Sequence, residues 1–243
     1  MLEFGFIAAD TSRSRIYLNA LRLGNLRPSL VILIPSSVEG AAGMVGRDDE
    51  CLLDDPEWPE AKVDLRVGLT DLLDSFGYHY VSLPNSDIND PAVVDYFSNS
   101  EMELFVYSGY GGSILRAPIL SLGKFFLHVH GGFLPYFRGS TTNYYSILKE
   151  RQIGASSIFL ERDIDQGPII DRQYFRLPSR VEKMDHFYDS AARSRVLVSS
   201  LNQVIDGWPD EINCEEQDSK NGKTYYVIHP VLKHLAIMKC SDG

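Results

Sequence analysis

The first 34 residues constrain the fold of this chain more than any other stretch. Leu2 to Ala8 (LEFGFIA) has the make-up of a buried strand. Asp10-Thr11-Ser12 offers N-cap side chains for a helix over Ser14 to Leu23, and Gly24-Asn25 ends it. Leu30 to Ile34 (LVILI) is a second apolar run of strand type. Strand, helix and strand in so short a span close as a right-handed crossover, which commits the chain to a parallel sheet with helices on its faces. The turn after the first strand, AADTSRS, has no GxGxxG, so a dinucleotide is not the ligand expected there.

The alternation continues along the chain. Asp64 to Phe76 patterns as an amphipathic helix, Tyr78 to Leu83 as a short strand, Pro91 to Phe97 as a helix and Leu104 to Tyr107 as a strand. After the strand Phe125 to His130 come a helix over Thr141 to Glu150, capped by Ser140 or Thr141, and strands over Gly154 to Leu160 and Pro168 to Phe175. Positions 181–206 have helical spacing, Thr224 to Ile228 is strand-like, and Pro230 opens a last helix to Met238. The fold class expected is therefore α/β, Rossmann-like, a mostly parallel twisted sheet flanked by helices, with a small C-terminal helix and strand appendix. The division expected is a catalytic domain over 1–180 and a C-terminal subdomain over 181–243. Pro35 to Glu60 is irregular and acidic, read either as a cover for an acceptor substrate or as a solvated excursion.

Composition removes several function classes. With 243 residues, 44% hydrophobic and 23% charged, one large domain with a small appendix is expected. No apolar run approaches the roughly 20 residues of a membrane span. The start MLEFGFIAADTS lacks a basic leader, so no signal peptide is expected. Three scattered cysteines, Cys51, Cys214 and Cys240, form no CxxC pair and point to a reducing, cytoplasmic setting. A formal net charge of -10 without a basic patch repels polyphosphate, so nucleic acid is not an expected partner.

The chemistry concentrates in FFLHVHGGFLPYFRG, Phe125 to Gly139. On a strand His128 and His130 share a face, roughly 7 Å apart. The glycines after them permit a sharp exit at the carboxyl edge of the sheet, where open α/β sheets bind ligands. Arg162-Asp163-Ile164-Asp165-Gln166-Gly167 is a polar turn between two apolar runs, and the two signals are expected to meet in one site. His128, His130 and Asp165 also have the composition of a two-His, one-carboxylate metal set. The flanking residues fit that reading poorly, and no metal is expected. The cluster Ser108-Gly109-Tyr110-Gly111-Gly112-Ser113 lacks the Gly-Lys-Ser/Thr ending of a P-loop and reads better as bare backbone close to a flat ligand or a neighbouring strand.

Together, H-V-H-G-G-F-L-P-Y-F-R-G and G-A-S-S-I-F-L-E-R-D-I-D-Q-G-P-I-I resemble the family of formyltransferases that use 10-formyltetrahydrofolate, with the closest look to the amino-sugar N-formyltransferases. The likeness is good over residues 104–178 and holds in outline elsewhere. It places His130 on the family's catalytic histidine and Asp165 on its catalytic aspartate. Leu134, Pro135, Arg138 and Gly139 match the rest of the first motif. His128 stands where the family has asparagine, and Gly131-Gly132 where it has Pro-Ser. The resemblance implies a Rossmann-like formyltransferase fold. It also implies catalytic roles for His128, His130 and Asp165, and donor binding by Gly112, Ser113, Ile114, Leu115, Leu160, Arg162, Asp163, Ile164 and Asp165.

In such a reaction an amine attacks the formyl carbon and the oxyanion needs placed donors, while a carboxylate relays the amine's proton. The acidic charge and short tail argue against a tRNA acceptor. Tyr225 to His234 (YYVIHPVLKH) resembles tails of sugar N-formyltransferases of surface-polysaccharide pathways. The partners expected are the folate donor and a nucleotide-linked amino sugar, with no nucleic acid and no membrane, and a homodimer is allowed. Two competing readings are a formyltetrahydrofolate hydrolase, marked by formate release without an amine, and a non-catalytic folate binder, marked by donor binding without turnover.

Overall fold

The computed structural model describes residues 2–36, 51–218 and 220–241. Residues 37–50, most of the irregular stretch expected after Pro35, lie outside the described residues. The chain divides into two compact units, Met1–His128 and Val129–Gly243.

In the first unit the strands are β1 (Phe4–Ala8), β2 (Leu30–Leu33), β3 (Tyr80–Ser82), β4 (Leu104–Ser108) and the start of β5 (Phe125–His130). They lie in the order β3-β2-β1-β4-β5, and each neighbouring pair is parallel. This is the crossover sheet that the opening residues dictate. Helix α1 (Ser12–Leu23) follows β1, and of the three cap candidates Thr11 is the one used, its Oγ1 accepting from Ser14 N. Asp10 instead pairs with Arg15 Nη1 at 2.6 Å, and Arg15 donates further to Val67 O at 2.9 Å. Arg15 is buried, so these acceptors offset the cost of taking its charge out of water.

Helix α2 covers only Leu69–Phe76, not the longer span from Asp64. Asp64 Oδ1 accepts the backbone N–H of Arg66 at 3.0 Å and Oδ2 takes its Nη2 at 2.7 Å, so the side chain offers the backbone a turn in place of helical bonds. The two later helices are α3 (Pro91–Ser98), whose Pro91 follows an N-cap Asp90, and the short α4 (Ala117–Leu120). Phe97, Phe105 and Phe126, all buried, pack edge-to-face and stacked with centroids 5.2–5.9 Å apart.

The second unit begins with the last residues of β5 and adds β7 (Ile153–Phe159) and β8 (Ile169–Phe175), in the order β5-β7-β8. Strand β8 runs antiparallel to β7, with a register shift at Ser157/Ile158. Between β5 and β7 stand β6 (Phe137–Gly139) and α5 (Thr142–Glu150). The segment 181–206 is not one helix. A short 3-10 turn, Val181–Lys183, leads into a π turn, Met184–Tyr188, and then into α6 (Asp189–Gly207), which lies against β7 and β8. The tail strand β9 (Lys223–Tyr225) pairs in parallel with β6, and α7 (Pro230–Ser241) follows it. Neither β6 nor its partnership with the tail was expected.

Gly5 in β1 shows how closely the first unit is packed. A Cβ there would sit 2.6 Å from the ring of Phe105, which is itself buried in the aromatic cluster. Gly5→Ala is expected to destabilise the protein by about 1–3 kcal/mol, seen as a lower midpoint in denaturant unfolding.

Candidate active site

The second unit brings together His130, from the end of a strand, and Asp165, from a loop. β5 ends at His130, which is 5% exposed, and Gly131-Gly132 turns the chain away. Gly132 has to be bare. A Cβ there would lie 2.6 Å from Phe137 O, 2.8 Å from Thr142 Oγ1 and 2.9 Å from His130 Nε2. The turn is then fixed by side chains that satisfy its backbone. Thr142 donates to Gly131 O, and Ser156 Oγ donates to Gly132 O at 2.8 Å while accepting from Leu134 N at 2.9 Å. Farther along, the Phe133 ring stacks on Tyr174 at 4.0 Å with the Arg172 guanidinium 5.1 Å from its centroid, and Arg172 Nη1 donates to Leu134 O at 2.8 Å.

Both ring nitrogens of His130 have protein partners. Nε2 lies 2.7 Å from Phe137 O, and Nδ1 lies 3.3 Å from Asp165 Oδ1. A carbonyl oxygen only accepts, so Nε2 carries a hydrogen. Nδ1 faces the carboxyl group of Asp165, so the two are placed to pass a proton between ring and carboxyl. Asp165 is held from several directions. Its Oδ2 accepts Gly139 N–H at 2.8 Å, and its own carbonyl accepts from Gln217 Nε2 at 3.0 Å. Its φ of 57° is left-handed, a region that disfavours a non-glycine residue by about 1–2 kcal/mol. Surrounding contacts must offset that cost. The pair can therefore store, accept and return a proton in a nearly dry setting.

The remaining expected residues of this unit lie on the loop that leads to Asp165. Leu160 packs on the cluster of Leu134, Ile158 and Ile169. Arg162, Asp163 and Ile164 are exposed, Ile164 to 58%.

Those of the first unit form a separate set. His128 Nδ1 lies 3.1 Å from Tyr107 O, so Nδ1 carries the hydrogen, and Nε2 carries one only in the imidazolium. Gly112 has a φ of 81°, and a Cβ there would meet no atom within 4 Å, so its conformation and not crowding favours glycine. Ser113 accepts from Tyr107 Oη through its carbonyl at 3.0 Å. Ile114 is 47% exposed with its carbonyl on Asn89 Nδ2, and Leu115 is buried. Among the described residues no group of three His, Cys, Asp or Glu side chains comes together to hold a metal ion, and no helix is long and apolar enough to cross a membrane. Sequence reasoning missed the carbonyl of Phe137, the N–H of Gly139 and the amide of Gln217. Gly139 lay within the motif, whereas Gln217 carries no local signal.

Comparison with known proteins bears on the family and the fold. Residues 6–193 match the model of the formyl transferase family. Methionyl-tRNA formyltransferase of Chloroflexus aurantiacus is 34% identical over 93 residues, which is 37% of this chain and 30% of that protein, so the chain spans under a third of that relative's length. Glycinamide ribonucleotide transformylase 1 of Symbiobacterium toebii shares the fold with a TM-score of 0.59 at 16% identity, over 90% of this chain and 95% of that one. An N-formyltransferase of Helicobacter canadensis, solved with folinic acid and dTDP-3-aminofucose, has a TM-score of 0.56 at 14% identity, over 93% of this chain and 71% of that one. The fold is that of these enzymes.

The tyrosine stacked on the motif loop supplies a pH marker. Burial, then the charge of Glu150, pushes the Tyr174 phenol up to about 12. A phenol raised in the folded state stabilises the protein below its unfolded value near 10, and that contribution is lost as pH rises towards 12. Ultraviolet titration should show Tyr174 ionising late, and Glu150→Gln should bring it earlier.

Proposed function

We propose that this chain, which belongs to the formyl transferase family, moves the formyl group of 10-formyltetrahydrofolate to the amino group of a nucleotide-linked amino sugar in surface-polysaccharide or glycan synthesis. The observation that carries the transfer reading is the 3.3 Å approach of His130 Nδ1 to Asp165 Oδ1, two residues distant along the chain. In the proposed step Asp165 and His130 hand a proton to the folate nitrogen as the carbon–nitrogen bond breaks, and take one from the attacking amine as the new bond forms. The pair ends as it began, and the products are an N-formyl sugar and tetrahydrofolate. Gly112, Ser113, Ile114, Leu115, Leu160, Arg162, Asp163 and Ile164, with Asp165, are proposed to receive the donor. Exposed Ile114 and Ile164 offer apolar surface, and nearby backbone groups read polar edges.

The folate donor and sugar acceptor are supported by the Helicobacter canadensis enzyme, whose complex holds folinic acid and an amino sugar on a nucleotide. The alternative acceptor, an aminoacyl-tRNA, has in its favour the identity to methionyl-tRNA formyltransferase. The net charge of -10 opposes a polyanionic partner.

Incubating the protein with 10-formyltetrahydrofolate and a panel of nucleotide-linked amino sugars, read by a mass gain of one formyl group, tests the reading. Transfer to methionyl-tRNA alone would overturn the sugar acceptor, and formate release without any amine would overturn the transfer. His130→Ala and Asp165→Ala are each expected to lower kcat by a hundredfold or more, of the order lost with a general acid–base, while circular dichroism shows the fold kept. His128 is proposed to support the formyl oxygen where the family has asparagine. His128→Asn, whose amide also offers N–H donors, is therefore expected to keep transfer, and His128→Ala to lower kcat by about a hundredfold, the order lost with one oxyanion donor.

A further inference from the structure

The stretch after α6 does more for the site than close the chain. From Glu215 to Asp218 it bonds directly to the backbone that carries Asp165 and reaches the motif loop through Arg172 and Arg138. Glu215 and Ile169 exchange N–H···O bonds of 2.8 and 2.9 Å, which tie the stretch to the start of β8 just past Asp165. The Glu215 carboxylate receives Arg172 Nη2 at 2.8 and 2.9 Å, and the same guanidinium holds Leu134 O on the motif loop. Gln217 comes next. Its Nε2 lies 3.0 Å from Asp165 O and 2.7 Å from Gly167 O, one amide group with each of its two hydrogens on a carbonyl of the aspartate turn. Its Oε1 lies 3.4 Å from Arg138 Nη2, and Arg138 also reaches Asp218 O. The partners fix the amide orientation, since the nitrogen faces two acceptors and the oxygen faces a cation. Beyond it, β9 pairs with β6 and so anchors Gly139, whose N–H holds the Asp165 carboxylate.

Asp165 needs such support. Its left-handed backbone is disfavoured on its own, and its carboxyl must lie within reach of His130 Nδ1. The Gln217 amide bonds the carbonyls on both sides of the turn, Asp165 and Gly167, and so limits rotation of the carboxyl towards or away from the imidazole. We infer that Gln217 is a positioning residue for the proton-transferring pair: its side-chain amide clamps the Asp165–Gly167 turn and sets the Asp165–His130 distance. This inference rests on the transfer reading for its kinetic consequence but not for its structural one. Gln217 also lies beyond residue 193, where the match to the family model ends.

The test is Gln217→Met, which keeps the length and bulk of the side chain and removes its N–H groups. With the sugar acceptor that the wild type uses, kcat is expected to fall about ten- to a hundredfold, the scale of a small misplacement of a reacting group, with KM for donor and acceptor within about twofold. Gln217→Asn, which keeps the amide but withdraws it by one methylene, is expected to lie between the two, and decides alone should the Met variant fail to fold. Amide hydrogen exchange gives a readout without turnover. The Gly139 N–H, bonded to Asp165 Oδ2, should exchange faster in Gln217→Met, and the Leu134 N–H, bonded to Ser156, should not change. Wild-type kcat with unaltered Gly139 exchange in the folded variant overturns the inference, as does a loss confined to KM. A wild type that formylates no amine overturns the transfer reading instead, and Gly139 exchange then still decides the role of Gln217.

Discussion

One imidazole sits between two acceptors, and much of the second unit is arranged around that fact. His130 gives its Nε2 hydrogen to the carbonyl of Phe137 and turns Nδ1 to Asp165. For the ring to lie there, residue 132 can have no side chain, β6 must bring the Phe137 carbonyl back over the strand end, and Asp165 must hold a backbone conformation that it would not choose alone. Each requirement is met by a different segment, so no single loop makes the site. A buried pair of this kind stabilises little by itself, because the attraction between its members is offset by the loss of water around both. What the arrangement secures is position: an imidazole and a carboxyl kept at a fixed place beside the edge where α/β sheets take their ligands.

The parts of the fold that came through in sequence are those governed by local pattern. The strand–helix–strand opening, the apolar run ending in His128 and His130, and the proline starts of α3 and α7 follow from periodicity and capping, and the structure has them close to where those rules put them. The places where sequence and structure part are those where side chains compete with the backbone or where distant segments decide. Asp64 turns the chain at Arg66 and shortens the helix after it. Ser140 or Thr141 was expected to cap α5; Thr141 holds the cap position in a left-handed conformation with no capping bond from its side chain, and its hydroxyl instead receives Ile228 N–H from the tail. Strands of three residues, such as β6 and β9, carry no period that can be read, since their pairing is a property of two separated stretches. The meeting of His130 with Asp165 was legible because a spaced motif records it. The clamp by Gln217 was not, because one amide against two loop carbonyls leaves no composition or spacing to notice.

The comparisons divide along the same line. The family model covers 6–193 and so takes in both His130 and Asp165, whereas the stretch that steadies Asp165 lies outside it. Solved enzymes at 14–16% identity keep the fold over nine-tenths of this chain. Chemistry held by backbone carbonyls and N–H groups, as at Phe137, Gly139 and Gly167, places few demands on side-chain identity. That is one physical reason why a shape can persist when most letters have changed.

The π turn at Met184–Tyr188 bears on how the rest of the second unit is phased. A turn of this type holds about one residue more than an α-helical turn, and each residue of a regular helix advances the side-chain direction by about 100°. The surplus residue thus acts as a spacer in angle rather than in length. It lets Asp185 meet the Tyr144 hydroxyl at 2.7 Å while Met184, Phe187 and Tyr188 all face inward, and it hands α6 on with Asp189 directed at Asn143. Two carboxylates four positions apart thereby clasp adjacent residues of α5, so the bearing of one helix against another is set by a miscount in the winding between them.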